Sequence, residues 1–235
     1  MPKEKKQHRI RRWLFRLLMV LVLIVSLLLI FNEQVKLFMV NHMQQSGVQQ
    51  AQQLDADELA KNKKRKTNWD FSKVESLNLS TVSKAALARN LHPIGLVSVP
   101  SVNIHLPILN GVTSSNLAVG AGTMKENQEM GKNNYALAGH HIHKRTTLFS
   151  PLENVKKGAQ IYITDKKTVY VYKINFIKVV DKHQVQYIDD VPNKKMITLV
   201  TCASDLINQP ERQIVQGELV KTEKATDKNL QVFAN

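Results

Sequence analysis

From Leu91 to Val220 the chain is a succession of short apolar, β-branched runs broken by turn signals, a pattern that leaves room for little except an all-β fold. Residues 94–99 and 104–109 read as strands, with Pro100 and Asn110-Gly111 as turns. Residues 134–141 read as a strand running into a turn. Residues 161–164, 169–172, 174–180 and 184–188 add further strands. Tyr170, Tyr172, Ile174 and Phe176 alternate with Val169, Val171, Lys173 and Asn175, the period of a half-buried sheet. Ile197–Cys202 is the most apolar run, and 212–220 reads as its neighbour across a polar loop. Little helix and many short strands indicate a barrel or sandwich of about 145 residues, enough to bury a real core. Gly120 and Gly122 do not form a phosphate loop, because no strand-to-helix context and no Gly-Lys-Ser/Thr follows them.

Upstream the chain changes character. Residues 13–31 are apolar except for Arg16 and Ser26, and 19 residues suffice to cross a hydrocarbon core of about 30 Å. Lys3, Lys5, Lys6, Arg9, Arg11 and Arg12 precede them, so the N-terminus is expected in the cytoplasm and the rest outside. Phe31-Asn32-Glu33-Gln34 offers no small-x-small cleavage site, which favours an uncleaved signal anchor over a removed signal peptide. No second span is expected, since the C-terminus is polar. Residues 32–67 read as a stalk, dense in glutamine, with a weak helical stripe at Val48, Ala51, Leu54 and Leu59: either a helix continuing from the anchor or a disordered spacer. The expected organisation is therefore a basic cytoplasmic segment (1–12), an anchor (13–31), a stalk (32–67) and a folded domain (68–235). The net charge of +14 is concentrated in residues 1–16 and 61–66. A membrane accounts for that placement, and nucleic acid is not expected as a partner.

One cysteine, Cys202, excludes an intramolecular disulfide and any Cys-rich zinc site. A lone thiol is either a small buried hydrophobe or a working group. Alternation puts Cys202 and Val200 on one strand face, with Leu199 and Thr201 on the other. A thiol with a pKa of about 8.5 becomes a good nucleophile only beside groups that stabilise its thiolate. Of eight histidines, His140, His141 and His143 cluster at one strand end, and Ala138 shares a face with His140. These could supply a general acid/base, an exposed patch, or a metal site, although no carboxylate is adjacent. Arg212 either pairs with Glu211 or Asp205 at the surface or meets Cys202 over one groove.

Thr198-Leu199-Val200-Thr201-Cys202, with Arg212 opening the next strand, resembles the signature of sortases, the cysteine transpeptidases of Gram-positive cell surfaces. Ala136 to His141 with Leu148-Phe149-Ser150-Pro151-Leu152 resembles their histidine motif. Gly120 to Lys125 resembles the segment upstream of it, and Asn68 to Ser72 with Ile94-Gly95 resembles the start of class A enzymes. The resemblance spans about 68–222. It implies an eight-stranded β-barrel with short helices, preceded by a transmembrane helix and stalk. It implies a two-step reaction in which Cys202 attacks the Thr–Gly carbonyl of a Leu-Pro-x-Thr-Gly sorting signal on a secreted protein. The amine of a lipid-linked peptidoglycan precursor then resolves the thioacyl enzyme. His140 is implied as acid and base, and Arg212 as the group holding the peptide, stabilising the oxyanion or favouring the thiolate. Ala138, Val200 and Thr201 are implied as lining or supporting the peptide groove.

The sequence departs from that family in places. Some class A enzymes bind calcium through an upstream acidic cluster, but the corresponding positions here are Lys125, Gln128 and Lys132, with Glu126 and Glu129 out of register. No calcium, no other metal and no cofactor is expected. The loop between Cys202 and Arg212, with Ile207 and Pro210, lacks a tryptophan. An Asp-Pro-aromatic lid, typical of pilin-polymerising relatives, is absent. Two other readings compete: a membrane-anchored Cys/His peptidoglycan peptidase, in which the cysteine usually opens a helix, and a non-catalytic surface binding module.

Overall fold

The computed structural model describes residues 2–87, 91–142, 146–204 and 210–234. His143, Asp205 and Ile207, singled out above, lie outside them. The chain divides into two units, Met1–Phe38 and Met39–Asn235. The first is helical: α1 (Pro2–Ile30) and the opening turns of α2 (Asn32–Gln53). On α1 the large apolar side chains are exposed, among them Trp13 at 64% and Ile30 at 71%. Among the described residues no single helix is long and apolar enough to cross a membrane, and α1 and α2 meet that measure only as a bent pair.

The second unit is a closed barrel. Its strands are β1 (Pro93–Val99), β2 (Ile104–Leu109), β3 (Ala121–Thr123), β4 (Asn134–Ala138), β5 (Gln160–Thr164), β6 (Thr168–Asp181), β7 (Met196–Cys202) and β8 (Glu211–Lys224), joined in the order β1-β2-β3-β4-β7-β8-β6-β5. Two pairings are parallel, β2 with β3 and β4 with β7, and the others are antiparallel. Closure leaves no free sheet edge. The interior is filled by alternate residues of every strand, among them Ile104, Leu106, Tyr135, Leu137, Ile161, Ile163, Tyr172, Ile197, Leu199 and Val215. Short helices decorate it: α3 (Ala56–Lys63), α4 (Leu79–Leu87), α5 (Ser114–Leu117) and α6 (Asp227–Leu230).

The strand expectations hold with two corrections. Residues 169–172 and 174–180 belong to one long strand, β6, whose register against β8 shifts twice, between Val171 and Tyr172 and between Ile174 and Phe176. Residues 184–188 are not a strand: Val185–Ile188 form a 3-10 turn, whose Tyr187 carbonyl is taken by the side chains of Asn134, Thr198 and Gln216 and not by a ladder.

The segment read as a stalk is helical, and from Met39 onward it packs on the barrel, so the folded unit begins well before residue 68. Val40 and Met43 enter the main core, while Val48 and Ala51 pack with Leu96, Val169, Val171 and Phe233. The glutamines do the rest. Gln44, Gln50 and Gln52 donate side-chain amide hydrogens to the carbonyls of His105, Leu91 and Phe233, at 3.4, 3.1 and 3.2 Å. Asn62 on α3 donates to Pro93 O at 2.9 Å. Lys166 Nζ donates to the carbonyls of Gln52 and Leu54, satisfying the C-terminal end of α2.

Candidate active site

Strands β4, β7 and β8 are neighbours, and their ends converge. The parallel ladder of β4 and β7 runs to Ala138 opposite Val200, and Gly139 N then donates to Val200 O at 3.0 Å. His140 and Cys202 follow, each two residues past the last pair. On the other side of β7, Cys202 stands directly opposite Arg212. The nucleophile candidate is thus central, with the histidine strand on one flank and the arginine strand on the other.

Alternation decides which way these residues face. Leu137, Leu199 and Val215 fill the barrel, so Ala138, Val200 and Ile214 lie on its outer surface, and His140, Cys202 and Arg212 share their parity. Ala138 packs with Val112 and Leu117, flanked by Val74 and Met124. Val200 and Ile214 pack with Val180, flanked by Met124, Phe176, Tyr187 and Ile188. The result is an apolar layer on the outer face of the barrel, in which Ala138, Val200 and Ile214 are buried. The 3-10 turn 185–188 forms one wall beside it, where Tyr187 stacks on Phe176 at 5.7 Å between ring centroids. That wall is pinned by one carbonyl: Tyr187 O accepts from Asn134 Nδ2, Thr198 Oγ1 and Gln216 Nε2 at 2.9, 3.2 and 3.0 Å. Met124, Phe176, Tyr187 and Ile188 were not singled out from the sequence. Phe176 sat in the alternating run of β6, but nothing in that pattern shows that its outward face meets a turn from elsewhere.

Cys202 and Arg212 are both half-buried. Arg212 Nη1 donates to the carbonyl of Glu211 at 3.0 Å, which aligns the guanidinium along the start of β8. The Nε2 of His140 is buried and has no hydrogen-bond partner among the described residues. Burial disfavours the charged imidazolium, and the pKa is pushed down to about 4. The neutral ring is therefore the resting form at neutral pH. His141 points elsewhere: its side chain is 8% exposed, and its Nε2 lies 3.6 Å from the Glu153 carboxylate. Thr201 does not face that layer. It lies on the inward face with Leu199, is 2% exposed, and its hydroxyl has no partner among the described residues.

The positions expected to lack calcium ligands are engaged otherwise. Lys125 pairs with Asp190. Gln128 both donates to Ala136 O at 2.9 Å and accepts from Ala136 N at 3.2 Å. Lys132 pairs with Glu129 at 2.6 Å. Among the described residues no group of three or more His, Cys, Asp or Glu side chains could hold a metal ion.

A half-buried thiol, a neutral imidazole and an arginine at three converging strand ends, beside an apolar layer, suit covalent attack on a peptide. Comparison with known proteins points the same way. The Sortase domain family matches residues 97–220. Sortase A of Streptococcus agalactiae is 44% identical over 228 residues, covering 94% of this chain and 91% of that protein. Sortase A of Listeria monocytogenes is 38% identical over 208 residues, covering 88% and 92%. The crystal structure of the Listeria monocytogenes enzyme aligns with a TM-score of 0.59 at 40% identity, covering 61% of this chain and 98% of that one.

Proposed function

Since the chain belongs to the sortase family, as a class A cysteine transpeptidase, we propose that it cleaves Leu-Pro-x-Thr-Gly sorting signals between Thr and Gly and joins the threonine carboxyl to a cell-wall precursor amine. Sortases in general act on proteins bearing sorting signals and on cell-wall precursors, and the finer assignment is to this signal and to Cys202, His140 and Arg212 as its machinery. The observation that carries it is the register of the three strand ends, with Cys202 opposite Arg212 on β8 and His140 two residues past the β4–β7 ladder.

The steps balance on these residues. His140, neutral at rest, accepts the thiol proton as Cys202 Sγ adds to the threonine carbonyl, giving a tetrahedral oxyanion. The resulting imidazolium donates that proton to the glycine nitrogen as the peptide bond breaks, leaving a thioester. The incoming amine adds to the thioester, gives up a proton to His140, and expels the thiol, which takes that proton back. Arg212, opposite Cys202 in the ladder, would stabilise the oxyanion or hold the peptide backbone. Ala138 and Val200 would take part in receiving the leucine and proline, and Thr201 backs the nucleophile's strand from inside the barrel. No step requires a metal or cofactor.

We also place the catalytic unit outside the cell, single-pass and N-terminus in, with 13–31 crossing the bilayer. The basic residues before that segment and its exposed apolar surface support this reading.

The test uses the full chain in detergent micelles, a fluorophore-quencher peptide containing Leu-Pro-Gln-Thr-Gly, and hydroxylamine as the amine. Mass spectrometry should show an adduct on Cys202 ending at the peptide's threonine, resolved faster by hydroxylamine than by water. Cys202→Ala should abolish transfer and leave the circular dichroism unchanged. A Cys202→Ala protein with undiminished activity, or a folded wild type that forms no adduct, would overturn the assignment and restore the binding module.

A further inference from the structure

His140 Nε2 has no hydrogen-bond partner among the described residues, so its aim rests heavily on its backbone, and a neighbouring turn holds that backbone. Phe149 N donates to His140 O at 3.1 Å. The Phe149 ring lies where a Cβ on Gly139 would come within 2.6 Å of it. Ser150 Oγ accepts from Ile142 N at 2.9 Å. The turn has a conformation of its own to maintain: Leu148 sits at φ +54, a left-handed geometry that a leucine adopts only when its surroundings impose it.

Helix α2 supplies part of those surroundings. Gln44 Oε1 accepts from Leu148 N at 3.2 Å, and Asn41 Oδ1 accepts from the hydroxyl of the fully buried Thr147 at 2.9 Å. Asn41 and Gln44 are three residues apart and so share a helix face. Val40 and Met43, in the barrel core, hold that face down.

We propose that Asn41 and Gln44 are positioning residues for His140: α2 clamps the turn at 147–148, and the turn sets where the imidazole stands beside Cys202. The proposal rests on His140 being the acid and base. Two other amides of the same helix serve as internal controls, since Gln50 and Gln52 donate to Leu91 O and Phe233 O at 3.1 and 3.2 Å and do not touch the turn.

The same peptide and hydroxylamine assay on the full chain tests it, with a melting temperature recorded for each variant. Asn41→Ala and Gln44→Ala should lower kcat about tenfold with KM within about twofold, because small misplacements of a reacting group act on the chemical step. Asn41→Asp keeps the acceptor oxygen and should recover most of the rate. Thr147→Val removes the Asn41 bond from the turn side and should reproduce the Asn41→Ala loss, which covers an Asn41→Ala protein that does not fold. Gln50→Ala and Gln52→Ala should lower the melting temperature comparably and leave kcat unchanged. The clamp is refuted if Asn41→Ala, Gln44→Ala and Thr147→Val keep the wild-type kcat, or if all the helix variants lose rate in step with melting temperature. His140→Ala run alongside separates the two ideas: an inactive His140→Ala beside full-rate helix variants removes only the clamp, whereas an active one removes the acid/base assignment as well.

Discussion

Thr201 and His140 sit one residue past, or two past, the apolar layer, yet their surroundings ask opposite things of them. The Thr201 hydroxyl is buried without a partner among the described residues, a desolvated polar group with nothing offsetting its cost. Thr201→Val keeps the shape and removes the hydroxyl, and should leave the protein unchanged or stabilise it by about 1 kcal/mol in a urea titration. Peptide cleavage should persist, and loss of cleavage in a stable Thr201→Val protein would mean the hydroxyl reaches the substrate. For His140 the sign follows from linkage. Its folded pKa of about 4 lies below the ordinary 6.5, so between those values the unfolded chain binds more protons than the folded one. Stability is therefore fully present above pH 6.5 and is lost as pH falls towards 4. His92 and His105 shift the same way by burial, so the measurement is a difference. His140→Gln should flatten the melting temperature across pH 6.5 to 4 relative to wild type, and parallel curves would show that the imidazole is better solvated than its surroundings suggest.

The aromatic wall beside that layer is held at the level of elements. Lys125, just after β3, pairs with Asp190 in the connection between β6 and β7, and its hydrogen bond and charge hold the Asp190 carboxyl below the usual range. Asp190 also accepts from Asn134 N at 3.1 Å, so the ion pair ties the 185–190 segment to the start of β4. Half-exposed pairs contribute little to stability, under about 1 kcal/mol. Lys125→Ala should therefore barely move the melting temperature but raise the KM for the sorting peptide about threefold, with kcat nearly constant, because what loosens is a binding wall. An unchanged KM would show that the Tyr187 carbonyl alone secures the wall. Elements of this kind were unevenly legible in the sequence. The run 169–176, with its period of two, stands out by pattern. The 185–188 turn carries Val185, Tyr187 and Ile188 and looks like a strand until one asks what it pairs with. Helix α2 was hardest to read. It grips the barrel through glutamine amides on backbone carbonyls, a contact that leaves no apolar signature, and only Val48 and Ala51 hinted at a buried face. The three candidate site residues stood out through the resemblance of residues 136–141, 198–202 and 212 to sortase motifs, since alternation alone left a buried thiol and a surface arginine equally open, whereas the clamp proposed for His140 joins residues 41 and 44 to 147 and 148, which no local pattern links.

At the scale of the whole molecule, the site exists only where distant parts of the chain meet. The ladder between β4 and β7 is parallel, and its partners lie about 60 residues apart in sequence. A parallel pair cannot be joined by a hairpin, so each of its strands must find the other after the intervening chain has been laid down. Closing that loop costs entropy before any contact repays it, which makes such pairings slow to form. The cysteine's strand is thus placed among the last, and a refolding chain should regain its circular dichroism before it regains the capacity to form the Cys202 thioester. Until that pairing forms, a folding chain carries no assembled site, and its lone thiol has no second cysteine in the chain with which to be trapped on the way.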